Sequence, residues 1–371
     1  MKLKDADNLY YIGGIVRDEI LGKPSFDIDL TYVGNAIEFA QNIDDVKILK
    51  INEPFGTVRI KAENKEIDIA STRAEIYEQA GHLPTVTKIG CSLKEDVLRR
   101  DFTINAMAKS VKDNKIIDYT GGLEDIKNKK IRILHDNSFI DDPTRILRAL
   151  KFAVRFDFSL DEHSKKLRDK YLENVNYDMS FKRVKKELIE TFNLNSQAAY
   201  DEFISSKIYK LITPSEITKS QLNIEQLINK YIHLINPDNI WLVYVGTIRD
   251  LDNLKPTLTK EEQKIISDAY TATEKNLNND YEIYKTFENM KAETILLYAV
   301  IKNQKVAEHY LSDLKDIKIQ ITGKDLMEMN IPPSTKYQEC FDYILKTKLY
   351  NPNLTIIQEK SLAKEFFSTN C

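Results

Sequence analysis

The chain has 371 residues, 54 basic and 57 acidic side chains, and a formal net charge of −3. That length accommodates two or three domains, and the near-balanced charge excludes a global field for nucleic acid, so any RNA surface must be a local basic patch. No apolar run approaches roughly 18 residues and MKLKDADN has no apolar leader, so no membrane segment is expected; Cys91, Cys340 and Cys371 show no metal-ligand spacing, and the composition is that of a soluble, cytoplasmic protein.

Leu9 to Ile12 reads as a first strand. Gly13 and Gly14 follow, then an amphipathic turn from Val16 to Leu21 that Gly22 can end. Phe26 to Tyr32 reads as a second strand. Alternation along it places Asp27 and Asp29 on one face, Ile28 and Leu30 on the other. Val46 to Ile51 and Thr57 to Lys61 are further strands, and Glu66 to Ala70 is another, carrying Asp68 between apolar neighbours. Residues 73 to 95 contain Gly81, Pro84 and Gly90 and read as a long loop. Order resumes at Asp101 to Ala108, and Ile116 to Tyr119 leads into the turn Thr120-Gly121-Gly122. Strands with few helices make residues 1–137 one α/β unit. From residue 138 onward, spacings near 3.6 dominate. Pro143 suits a first helical turn with Asp141 or Asp142 near the N-cap, and that helix runs on through Phe152. Further helical patterns fall at 161–175, 180–193, 197–212, 220–234, 259–276, 283–301, 305–313 and 337–348.

Four clusters carry chemistry. Asp27 and Asp29, two carboxylates on one strand face, repel each other, and a divalent cation relieves this. The hard choice, Mg²⁺, takes oxygen ligands and usually brings a substrate phosphate. A Gly-Gly turn into a helix N-terminus presents free N–H groups to such a phosphate. The stretch suggests metal-assisted phosphoryl or nucleotidyl transfer; a polar hairpin with an acidic edge has the same pattern. Arg99 and Arg100 can clamp triphosphate oxygens, or form surface ion pairs with Glu95 or Asp96. Asp142 and Arg145, three apart on a helix, are neighbours. Aspartate only accepts and arginine only donates. Held rigidly, the pair can read a base with an amine beside an acceptor, as in cytosine and adenine but not uracil or guanine. It can also be a plain i,i+3 ion pair. Arg148 stays beside Arg145, whereas Lys151 lies roughly opposite Asp142 and suits a phosphate or RNA contact. In the fourth cluster, Phe181 to Leu188, Arg183, Lys185 and Lys186 make a basic helical face for RNA phosphates or for solvent. The five histidines are scattered, and neither a nucleophile arrangement nor a Walker-type loop is present.

Taken in order, GGIVRD (13–18) with DID (27–29), RRDFTINAMA (99–108), DYTGG (118–122), DDPTRILRALKF (141–152) and FKRVKKEL (181–188) resemble the class II tRNA nucleotidyltransferases, the CCA-adding enzymes and their poly(A) polymerase relatives. ITGKDLMEMNIPPS (321–334) is similar to the family's C-terminal segment, while residues 195–315 match weakly. The resemblance implies an α/β head of the polymerase-β nucleotidyltransferase type over residues 1–137, then an all-α neck (138–200), body (201–300) and tail (301–371). It implies that Asp27 and Asp29 hold Mg²⁺, with Asp68 as a third catalytic carboxylate. Gly14, Arg17, Arg99 and Arg100 would bind the triphosphate. Asp142 and Arg145 would select the base, with Arg148 and Lys151 next along the helix. Arg183, Lys185 and Lys186 would contact RNA. The implied reaction is template-independent addition of C, C and A to the tRNA 3′ end from CTP and ATP. The 3′-hydroxyl attacks the α-phosphorus in line between two metals, and pyrophosphate leaves. Asp141 and Lys151 stand where the family often has Glu and Arg. CC-only addition, A-only addition and poly(A) synthesis are near alternatives. Segment 72–98 bears on that choice, because the family uses a flexible loop there to switch from C to A; this one lacks a strong basic cluster. An idle RNA-binding protein on this fold and a small-molecule nucleotidyltransferase are the readings from other classes.

Overall fold

The computed structural model describes residues 2–25, 28–62 and 64–369. The head contains β1 (Leu9–Ile12), β2 (Ile28–Tyr32), β3 (Val46–Asn52), β4 (Thr57–Ala62), β5 (Lys65–Ser71), β6 (Arg73–Ile76), β7 (Thr85–Ile89), β8 (Met107–Ser110) and β9 (Ile116–Asp118). Seven of these form one mixed sheet in the order β3-β4-β5-β2-β1-β8-β9. Its β2–β5 junction is parallel and pairs Ile28 with Ile67, Asp29 with Asp68, and Leu30 with Ile69. Helix α1 (Gly14–Ile20) follows β1, and α2 (Ala36–Gln41) is capped by Asn35, whose side chain accepts from the Ile37 and Glu38 N–H groups. Leu30, Ile60, Ile67 and Ile69 enter a core closed by Phe39 and Ala40 of α2. Strand alternation therefore turns Asp29 and Asp68 to the opposite face. Phe26 and Asp27, expected at the start of this strand, lie outside the described residues.

Residues 73–95 are not a long loop. β6 and β7 pair antiparallel as a ribbon, and α3 (Leu93–Leu98) follows, opened by a capping box of Ser92 and Glu95. A two-stranded ribbon is marginal alone. This one is docked: the Gly81 N–H donates to the Asp141 carbonyl at 3.0 Å, and the Ser180 N–H to the Gly81 carbonyl at 3.1 Å.

Beyond the sheet come α4 (Gly122–Lys127), α5 (Ser138–Asp141), α6 (Thr144–Phe156), α7 (Glu162–Glu173), α8 (Phe181–Phe192) and α9 (Gln197–Ser205). Asp142 is extended, at φ −141° and ψ 90°, and Pro143 caps α6. Asp142 thus lies next to the N-cap, as expected, but just before the helix that carries Arg145 and not on it.

The chain divides into two compact units. One is Met1–Ile217 with Asp250–Thr257; the other is Thr218–Arg249 with Leu258–Cys371. The first holds the sheet and α1 to α9. The second is helical: α10 (Ile224–Lys230), α11 (Ile240–Val245), α12 (Lys260–Thr273), α13 (Asp280–Phe287), α14 (Ala292–Ile301), α15 (Gln304–His309), α16 (Gly323–Glu328), α17 (Tyr337–Tyr350) and α18 (Ile356–Thr369). The pattern at 283–301 is two helices, since Lys291 is extended at ψ 155° and caps α14. Helix α18 has no counterpart among the expected elements; it buries Ala363 and Phe367, four apart, beside Cys340 and Ile344 of α17. A mixed sheet followed by helices is the architecture the sequence implied. Among the described residues, no helix is long and apolar enough to cross a membrane.

Candidate active site

Gly13 turns β1 into α1 at φ +74°, a conformation that favours glycine, and a Cβ there would stand 3.2 Å from Arg100 Nη1. The Arg100 guanidinium therefore lies over the glycine turn, with Gly14 beginning the helix beside it. Arg99 and Arg100 both anchor on Asp96 of α3. Arg99 donates from Nε and Nη2 to Oδ1 at 3.1 and 2.7 Å, and Arg100 from Nη2 to Oδ2 at 3.1 Å. Arg99 also reaches Glu75 of β6 at 3.0 Å. Glu95, the other partner considered, accepts from Ser92 instead. Burial pushes the Asp96 carboxyl up, but the two arginines outweigh it and hold it below the ordinary carboxylate range. Arg100 Nε is buried and has no hydrogen-bond partner among the described residues, a donor in want of an acceptor.

Arg17 faces inward and is 4% exposed. It donates to Asp18 Oδ1 at 2.9 and 2.8 Å and to Asn105 Oδ1 at 2.5 Å. Its guanidinium also lies over Phe152 and Phe156, 5.0 and 4.5 Å from the ring centres, and so ties α1 to α6. The polar chain continues. Asn105 donates to Asp101 Oδ1 at 3.0 Å, and Asp101 Oδ2 receives Arg148 at 2.9 and 2.6 Å. Arg148 reaches Glu187 of α8 at 3.2 Å. Glu187 and Glu190 take the Lys151 ammonium at 2.6 and 2.5 Å. Burial raises the Asp101 carboxyl, but Arg148 and Asn105 bring it down to about 2. Lys151 is 7% exposed and joins α6 to α8 rather than meeting solvent.

A cavity of about 270 Å³ opens beside this chain, lined by Tyr77, Arg99, Arg100, Asp142, Arg145 and Arg183 among others. Asp142 and Arg145 are both buried, and each is held by other groups. Asp142 Oδ1 accepts from the Thr144 N–H at 3.1 Å and its hydroxyl at 2.6 Å, and Oδ2 accepts from Arg183 Nη2. Arg145 donates to Ser138 Oγ at 2.6 Å, to the Arg99 carbonyl at 3.1 Å and to the Tyr77 oxygen at 3.3 Å. Arg183, expected to contact RNA, has partners within the protein: besides Asp142 it donates to the His82 carbonyl at 3.1 Å. Lys185 donates to the Thr257 carbonyl at 3.0 Å, and exposed Lys186 lies 3.7 Å from Glu190.

The carboxylate face of the sheet is separate in character. Asp29 is exposed, and Asp68 opposite it is bonded by Arg59 of β4 at 2.8 Å through both oxygens. The groups are about half exposed. Such a pair contributes about 0–1 kcal/mol, too little to keep a divalent ion from Asp68. The hard oxygen donors at these registered positions fit such an ion.

Sequence reasoning missed Tyr77, Ser138 and Thr144, which hold or flank Asp142 and Arg145. Only Thr144 carried a signal, a hydroxyl two residues after an aspartate, where a local side-chain bond is favoured.

Residues 9–132 match the poly A polymerase head domain family. The chain is 33% identical, over 92% of its length and 84% of the relative, to an A-adding tRNA nucleotidyltransferase of Halalkalibacterium halodurans. It is 32% identical to an A-adding enzyme of Aquifex aeolicus over 84% of its own length, and spans 41% of that longer protein. It is 27% identical to a CCA-adding enzyme of Bacillus pumilus, over 92% of this chain and 89% of that one. The Thermotoga maritima CCA-adding enzyme complexed with tRNA has the same fold, with a TM-score of 0.77 and 25% identity over 97% of this chain and 91% of that one. The fold and the cleft define a nucleotidyltransferase with a poly(A)-polymerase-like head, a class whose chemistry uses a divalent metal. The chain belongs to the tRNA nucleotidyltransferase family.

Proposed function

We propose that this protein adds C, C and A to the 3′ end of tRNA from CTP and ATP, without a nucleic-acid template, and releases pyrophosphate. The observation that carries this reading is the hydrogen-bond capacity left open on Asp142 and Arg145. A guanidinium has five N–H groups; three of those on Arg145 are committed, which leaves two. A carboxylate has about four acceptor sites; three on Asp142 are taken, which leaves one. Cytosine offers one amine and two acceptors along its pairing edge, and adenine one amine and one acceptor. Uracil and guanine would set an N–H against the arginine, and a buried donor left unpaired costs about 1–3 kcal/mol.

The other roles follow from placement. Arg100, with Nε unpartnered over the glycine turn at Gly13 and Gly14, and Arg99 beside it receive the triphosphate. Arg17, Arg148 and Lys151 act at one remove, by fixing α6 against the head and α8. Of Arg183, Lys185 and Lys186 on α8, Lys186 is exposed for RNA phosphate, as is Lys182 on the same helix. Asp29, with Asp68 opposite and Asp27 two residues before it, would hold the metal, and Mg²⁺ suits oxygen donors near a triphosphate. When bound, such ions supply charge stabilisation between the 3′-hydroxyl and the leaving pyrophosphate. With tRNA as substrate, the working compartment is the cytoplasm.

Three RNAs test the reading: a tRNA lacking CCA, a tRNA ending in CC, and oligo(A), each with CTP and ATP separately. CTP incorporation into the first and ATP incorporation into the second are expected. Both should be abolished by EDTA and restored by Mg²⁺. No incorporation into any RNA overturns the reading. A second reading, A-only addition, is favoured by the higher identity to the A-adding relative, 33% against 27%. It requires ATP to enter the CC-ending tRNA and CTP to enter none.

A further inference from the structure

Tyr77 stands one residue past β6 and lines the cleft that holds Asp142 and Arg145. Its ring centre lies 5.8 Å from the Arg145 guanidinium carbon, and its oxygen accepts Arg145 Nη2 at 3.3 Å. A phenol that accepts still has one hydrogen to donate. Among the described residues, that hydrogen has no acceptor within hydrogen-bond distance. Burial raises the phenol above its ordinary value, with Asp142 and Glu75 adding to the rise and Arg145 opposing it, so the group stays protonated through neutral pH.

The segment after Tyr77 is pinned. Gln79 Nε2 donates to Asp178 Oδ2 at 2.8 Å, and His82 Nε2 lies 3.2 Å from Asp178 Oδ1. Gly81 sits at φ +81°, so close to α8's approach that a Cβ would stand 2.7 Å from Met179 Cβ. These contacts hold the phenol against Arg145.

We propose that Tyr77 is a further specificity-determining residue of the cleft, whose hydroxyl donates to an acceptor on the incoming base while it accepts from Arg145. This rests on the cleft being the nucleotide site. At the pairing-edge ring nitrogen, cytosine and adenine present a lone pair that Tyr77 shares with Arg145, whereas uracil and guanine present an N–H there that neither donor can meet.

Tyr77→Phe in the full chain removes the hydroxyl and keeps the ring. Binding of CTP, ATP and UTP is measured by equilibrium dialysis without RNA, alongside incorporation, tRNA binding and Tm. Kd for CTP and ATP is expected to rise about three- to tenfold, one ordinary hydrogen bond. UTP binding, tRNA binding and Tm should hold steady. Unchanged CTP and ATP affinity overturns the role of Tyr77 and leaves the CCA-adding reading standing. A wild-type protein that binds neither nucleotide and incorporates neither overturns the reading of the cleft, and Tyr77 with it. The same substitution on an Arg145→Ala background separates contact from support. A further loss of about threefold or more there marks Tyr77's own contact; no further loss means it only steadies Arg145, and overturns the proposal.

Discussion

At the residue scale, Asp142 and Arg145 do not need each other as an ion pair; each is fixed by neighbours that leave part of its capacity open. Arg145→Ala should therefore cost discrimination more than stability. Selection of C and A over U and G is expected to fall by about 1–3 kcal/mol, roughly five- to 150-fold, read as misincorporation with single nucleotides. Arg183→Ala leaves Asp142 Oδ2 without its partner. KM for CTP and ATP should rise on the order of tenfold, with tRNA affinity unchanged; a loss of tRNA affinity alone would return Arg183 to an RNA-facing role. Asp101 supplies a pH test. Its folded value of about 2 lies below the ordinary 3.8. Its contribution is complete above the unfolded value and is lost as pH falls from about 4 through about 2, by about 2 kcal/mol in all. Asp101→Asn should lower stability at pH 7 by that order and flatten the acid limb, as read from urea unfolding at pH 7 and pH 3.

At the element scale, the ribbon of β6 and β7 shows why 73–95 reads as a loop. Its glycines and proline are turn residues, and its two short strands are braced from outside the ribbon, at the tip through Gly81 and at β6 by the Arg73 N–H donating to Asp96 of α3 at 3.1 Å. A window along the chain contains no trace of Asp141 or Ser180. Gly81→Ala would impose a side chain at φ +81° against Met179. A destabilisation of about 2 kcal/mol is expected. The slow hydrogen exchange of the Gly81 and Ser180 amides should be lost with it, while the seven-stranded sheet keeps its protection. By contrast α7 and α8 were legible at 161–175 and 180–193, because each keeps a 3.6-residue rhythm over a dozen residues or so.

At the scale of the whole molecule, the two units are interleaved: Thr218–Arg249 leaves the first for the second, and Asp250–Thr257 returns. No single cut separates them. A chain ending at Thr257 would strand α11, whose Trp241, Leu242 and Val243 are buried among helices that include α14. It is expected to aggregate, by light scattering, whereas the same truncation with 218–249 replaced by a short linker should stay monomeric and still bind CTP. The sequence by itself determined the mixed head, its strands β1 to β5, the alternation that sets Asp29 on the face away from Ile28 and Leu30, and the helical remainder, while the register of Asp29 against Asp68 came from the β2–β5 pairing. The features read from the sequence depend on spacing between near neighbours in the chain. Only the tertiary structure decided which polar groups share the cleft. Arg183 reaches a carbonyl 101 residues away, and the spacing that makes α8 look basic is the same whether its arginine faces solvent or Asp142. A charge finds its partner by proximity in space, which periodicity along the chain does not encode.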